Sequence, residues 1–251
     1  MTKKTEANLH SANGSGLSSG VNEASGVRVS SPQLTLDFQH RPALGLENFF
    51  VSNSNQAAIE LIDQWPNWPA PAMFLQGPVG SGKSHLAHVW QMASGARLLK
   101  ASDFKSSDLA EGEDDVSAMV IEDIDEGIRD EHALFHLINL AKEKGFTLLF
   151  TSVAGPGQIS IELPDLRSRI RALAVVSINA PDDMLLRFML LKQFEDRQLE
   201  VTPQLIEYIL PRMERSFEGV GLAVEMIDKA ALATGRKLTR QFVGEILRLN
   251  S

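Results

Sequence analysis

The chain has no cysteine among its 251 residues, which excludes disulfides and any thiolate metal site and suits a reducing cytoplasm. It has no apolar run near the roughly 18 residues of a membrane span, and its N-terminus carries no signal-peptide apolar segment. It also lacks a surplus of positive charge. Lys and Arg number 24 against 32 Asp and Glu, a net of −8. A protein that grips DNA by its own surface usually carries a basic stripe, so this balance argues against autonomous DNA binding. Hydrophobic content of 43% and charged content of 22% are those of an ordinary globular protein with room for one large domain or two smaller ones.

What is present is a complete phosphate-binding loop. Gly77-Pro78-Val79-Gly80-Ser81-Gly82-Lys83-Ser84 satisfies G-x-x-x-x-G-K-[ST] at every fixed position. The apolar run Ala72–Gln76 before it reads as a buried strand, and His85 opens the run that reads as the following helix. The glycines let the backbone curl so that its N–H groups face a phosphate at the helix N-terminus. Lys83 is expected to reach the β/γ-phosphates and the Ser84 hydroxyl to ligate Mg²⁺. The expected cofactor is therefore ADP or ATP with Mg²⁺.

Around the loop, apolar runs at 73–76, 97–100, 118–121, 147–151 and 174–178 alternate with helical patterns. That order predicts a parallel α/β sheet covered on both faces. After Pro181 only helical patterns remain: 182–198, a helix opened by Thr202-Pro203, 216–233, and a last helix capped by Thr239. The expected organisation is a disordered Ser/Gly-rich tail over 1–31, a peptide and linker over 32–45, an α/β nucleotide-binding domain over 46–180, and an all-helical lid over 181–251.

The strand ending at Ile121 runs into Glu122-Asp123, where a P-loop protein places its acidic pair. Glu122 takes the Mg²⁺-side position and Asp123 the water-orienting one. The usual order has Asp first, so the arm lengths are exchanged and hydrolytic competence stays open. Thr151 and Ser152 end the next strand, positioned either to meet the γ-phosphate or water or to serve turn chemistry alone.

From about Gln33 to Leu249 the sequence resembles the DnaA branch of the AAA+ family. Leu166-Arg167-Ser168-Arg169 is similar to that branch's Leu-x-Ser-Arg segment, which implies that Arg169 acts in trans as an arginine finger. Arg215-Ser216-Phe217-Glu218-Gly219-Val220 resembles the lid segment whose arginine, here Arg215, senses the nucleotide. Leu46–Val51 and Ser54–Gln56 resemble the entry segment that packs on the base. The sequence ends directly after the lid, without the initiator's helix-turn-helix domain. Residues 101–115 leave little room for the initiator's extra helical pair. These departures point to the shorter Hda-type regulators of the branch.

Gln33-Leu34-Thr35-Leu36-Asp37-Phe38 resembles the Gln-Leu-x-Leu-x-Phe class of sliding-clamp-binding peptides, with Gln33, Leu34, Leu36 and Phe38 as the contacts. Its period-two alternation also suits a half-buried strand. The resemblance implies a negative regulator of chromosome replication initiation. It would bind the clamp (the β subunit of DNA polymerase III), promote hydrolysis of ATP on the DnaA initiator, meet DNA only through the clamp, and assemble as a possible homo-oligomer. Whether it is an enzyme in its own right is left open. The alternative is a helicase-loader or initiator-type ATPase acting directly on nucleic acid.

Overall fold

A computed structural model describes residues 50–110 and 117–249. The expected tail, the clamp peptide and the start of the entry segment lie outside the described residues.

Among the described residues five strands form one sheet: β1 (Ala72–Gln76), β2 (Arg97–Lys100), β3 (Ala118–Glu122), β4 (Thr147–Ser152) and β5 (Ala174–Ser177). Every pairing is parallel and the order is β2-β3-β4-β1-β5. The chain thus leaves β1 in the interior of the sheet, crosses to the far edge and works back. The central residues of the interior strands are apolar because both of their faces are covered, with polar residues gathered at the carboxyl ends.

Successive residues of these strands alternate between two cores. Met73, Leu75, Ala118, Val120 and Leu149 pack against α1 (Gln56–Gln64) and α2 (Lys83–Ser94). Ala72, Phe74, Met119, Ile121, Leu148 and Phe150 pack on the other face. That face is covered by the short α3 (Ser106–Ala110), α4 (Glu131–Lys144) and α5 (Pro164–Arg171). The two-residue period of a strand does this sorting without further instruction.

The C-terminal helices α6 (Asp183–Asp196), α7 (Pro203–Ile209), α8 (Phe217–Thr234) and α9 (Arg240–Leu249) enclose a third core, including Leu190, Phe194, Ile209, Val224, Ile227 and Val243. Their starts are capped, two of them, at Thr202 and Thr239, as the sequence suggests. Asp182, Thr202, Ser216 and Thr239 each accept a backbone N–H three residues on, at 2.8, 3.3, 2.9 and 3.2 Å.

Candidate functional site

The loop between β1 and α2 leaves the carboxyl end of an interior strand, where an open α/β sheet binds ligands. The Gly77 N–H donates to the Ser152 carbonyl at 3.1 Å, and the Ile178 N–H donates to the Gln76 carbonyl at 2.7 Å. The loop is thereby tied to both neighbouring strands. A Cβ on Gly77 would stand 3.0 Å from that of Ile178 and closer still to the Ser81 hydroxyl. Gly80 and Gly82 have φ of 74° and 93°, the left-handed region that side chains disfavour. Pro78 and Val79 form the exposed outer bend, with Val79 60% accessible.

Lys83 is buried, and its Nζ donates to the carbonyls of Gly77 at 2.8 Å and Pro78 at 3.0 Å. Burial pulls its pKa below the ordinary lysine value, opposed by Asp123, Asp125, Glu122 and Glu126. Ser84 is exposed at the start of α2. His85 follows it. Desolvation, and secondarily its neighbour His88, hold its pKa below the usual histidine value.

Glu122 is buried at the end of β3, and its Oε1 has no hydrogen-bond partner. Asp123 adopts φ 55°, and its N–H donates to Thr151 Oγ1 at 3.1 Å. Its carboxylate pairs with Lys100, at the end of β2, at 3.2 Å. Ser152 Oγ is turned away, donating to the Ala154 carbonyl at 2.7 Å. Asp125 Oδ2 accepts the N–H groups of Val153 and Ala154, both at 3.1 Å, and pins the exit of β4.

Opposite the loop, a cleft of about 200 Å³ is lined by Gly80, Ser81, Gly82, Phe50, Asn55 and a face of α6 that includes Phe188, Met189 and Lys192. The Phe50 and Phe188 rings stack at 4.8 Å. Asn55 holds the entry segment in shape: its Oδ1 accepts the Ser52 N–H at 2.8 Å and its Nδ2 donates to the Phe50 carbonyl at 2.8 Å. Phe188 is absent from the sequence reading because it lies off the core stripe of α6. An aromatic residue displaced from that stripe was the available signal.

The residues present fit a nucleoside di- or triphosphate. Glycines clear the loop interior, the ammonium of Lys83 stands within it, and two buried oxygens, Ser81 Oγ and Glu122 Oε1, lack partners. Unpaired buried polar atoms are costly, and a bound polar ligand or its water shell relieves them. Among the described residues no group of His, Asp and Glu forms a metal site by itself.

Two arginines singled out in the sequence lie elsewhere. Arg169 is exposed on α5. Arg215, at the entry to α8, is exposed and paired with Asp183 at the start of α6. It does not line the cleft.

Residues 183–247 match the family model described as "Hda, lid domain". The C-terminal helices are thus similar to an Hda lid, and the fold as a whole resembles that of DnaA. Domain III of the Thermotoga maritima replication initiation protein DnaA superimposes with a TM-score of 0.64 at 21% identity, over 83% of this chain and 97% of that one. AMPPCP-bound DnaA from Aquifex aeolicus gives 0.59 at 21% identity, over 77% of this chain and 67% of that one. A Haemophilus influenzae protein described as uncharacterized is 27% identical over 229 residues, 86% of this chain and 99% of its own length. The chain spans about two thirds of the longer initiator structures it matches. No helix of the described residues is long and apolar enough to cross a membrane.

Proposed function

We propose that this protein is a nucleotide-binding, Hda-type regulator of chromosome replication initiation. It holds ADP or ATP with Mg²⁺ in its own cleft and docks on the sliding clamp through Gln33, Leu34, Leu36 and Phe38. It works in the cytoplasm, meets DNA through the clamp, and presents Arg169 to the ATP carried by DnaA. The observation that carries this reading is a solvent-facing Arg169 on α5 in a chain that joins a complete P-loop to an Hda-type lid.

In this reading Lys83 and the loop amides bind the phosphates, Ser84 and Glu122 hold the Mg²⁺ shell, and Phe50, Asn55 and Phe188 bound the base. His85 adds a backbone N–H at the start of α2, and Arg215 approaches the phosphates on release from Asp183. A bound Mg²⁺–nucleotide would supply the phosphate and metal charge that these residues are placed to meet. Asp123 is the residue that would orient water, yet it is paired with Lys100 on a short arm. That pairing supports weak hydrolysis in the protein's own site and activity in trans. There Arg169 neutralises charge on the phosphoryl group leaving DnaA-bound ATP, a contribution of about 10³-fold or more.

The test is clamp-dependent hydrolysis of ATP by DnaA. Arg169→Ala is expected to keep nucleotide and clamp binding while losing most of the stimulation. Lys83→Ala is expected to weaken fluorescent ADP binding at least about tenfold. The double change Leu36→Ala and Phe38→Ala is expected to melt like the parent and lose clamp binding, since anchor residues carry most of such an interface. A lowered melting temperature with clamp affinity intact would instead make that peptide a core strand.

A further inference from the structure

α5 begins without a cap of its own. Its N-cap residue is Leu163, which has no side-chain acceptor, and Pro164 follows at the first helical position. The two residues that lead into the helix are held instead by another helix. Glu131, in the first turn of α4, accepts the Glu162 N–H through Oε1 at 2.8 Å and the Leu163 N–H through Oε2 at 2.6 Å. Both oxygens of one carboxylate thus grip the two residues that lead into α5, and charge-assisted bonds of this kind are the strong ones.

The gripping residue is itself fixed. Asp130, the N-cap of α4, accepts the Ala133 N–H at 2.9 Å and the Ser106 hydroxyl at 2.8 Å. Glu131 is therefore anchored at the rigid start of a 14-residue helix whose inner face lies in the sheet core. On its far side, α5 is pinned to the same core by Leu166 and Ile170, both fully buried. Arg169 lies between these two residues and faces outward.

We propose that Glu131 is a positioning residue for Arg169: its carboxylate sets the entry angle of α5 and so the reach of the arginine offered to a partner's nucleotide. The inference rests on the in-trans role of Arg169 proposed above. A carboxamide cannot replace Glu131. Its oxygen accepts one N–H while its NH₂ group opposes the other.

The experiment uses the full chain carrying Glu131→Gln, with Glu131→Asp in its place if the first variant misfolds. Its readouts are melting temperature, ADP affinity, amide hydrogen exchange, and clamp-dependent hydrolysis of ATP by DnaA. The expected result is parent-like melting and ADP affinity, with faster exchange at the Glu162 and Leu163 amides. The maximal stimulated rate should fall about 10- to 100-fold, the scale of a misplaced catalytic group, at an unchanged half-saturating concentration. Full stimulation by Glu131→Gln, beside an inactive Arg169→Ala, overturns the proposal and leaves the in-trans reading standing. A rate loss matched by loss of ADP affinity or melting temperature also overturns it, as general damage. Full stimulation by Arg169→Ala overturns the in-trans reading and this inference together.

Discussion

Asp123 shows how a single residue's surroundings recast a motif. Its position after β3 is evident in the sequence, but its backbone conformation and its partner are not. A φ of 55° is a left-handed geometry that Asp tolerates better than most residues, and the Thr151 hydroxyl holds it there. Lys100 then takes the carboxylate. The hydrogen bond to Asp123 is the chief reason the Lys100 pKa is raised. Asp130 is a second case, with a consequence for pH. Its carboxyl pKa lies below the ordinary 3.8, first because of the Ala133 N–H and next because of the Ser106 hydroxyl. A depressed carboxyl pKa adds stability that is present above the unfolded value and lost as pH falls through the folded one. Asp130→Ala is therefore expected to lower stability by about 1 kcal/mol near neutral pH, as N-cap losses do. The gap between parent and variant should close below about pH 4, as the carboxyl protonates. Urea unfolding at several pH values measures both.

At the scale of elements, four lid helices begin where Asp182, Thr202, Ser216 and Thr239 cap them, and the Thr202 and Thr239 starts are read directly because cap and helix are neighbours in sequence. α5 is the counter-example: Glu162 and Leu163, which lead into it, are held by Glu131, some thirty residues earlier, and no local pattern reports it. The first turn of α8 adds a packing constraint. A Cβ on Gly219 would overlap the backbone carbonyl of Glu214, which cannot swing aside as a flexible side chain would. Gly219→Ala is expected to cost about 1–3 kcal/mol, the range for overpacking, even though alanine is the better helix former. A lower denaturant midpoint with unchanged slope is the expected signature. A stabilised Gly219→Ala protein would mean that helix propensity outweighs the overlap.

For the whole molecule, the junction of lid and sheet domain decides the shape of the cleft. Leu185 and Phe217, from the lid helices, join the core beneath α1 and α2. The Phe217 Cβ lies 3.2 Å from where a Cβ on Gly80 would stand, so the lid rests directly on the phosphate-binding loop. Phe217 reads in sequence as part of a lid motif; that it serves the base domain's core and the loop together is a tertiary fact. Phe217→Ala is expected to cost about 3–5 kcal/mol, as for other buried aromatics, and also to weaken nucleotide binding. Lys83→Ala should weaken binding without that loss of stability. Paired denaturation and ADP titrations separate the two.

The sequence by itself determined the strand–helix alternation, the parallel sheet, the glycine-rich loop with Lys83 and Ser84, and the C-terminal helices with the caps Thr202 and Thr239. These are local patterns: a two-residue or 3.6-residue period, a fixed glycine spacing, a cap beside its helix. Only the tertiary structure decided that Lys100 holds Asp123, that Arg215 pairs with Asp183, that Glu131 holds the lead into α5, and that Phe50, Phe188 and Phe217 close the cleft. Each of these joins residues distant in the chain through one side-chain contact. Such a contact leaves no periodic trace in the sequence, because its partners become neighbours only after the sheet has stacked its strands out of chain order.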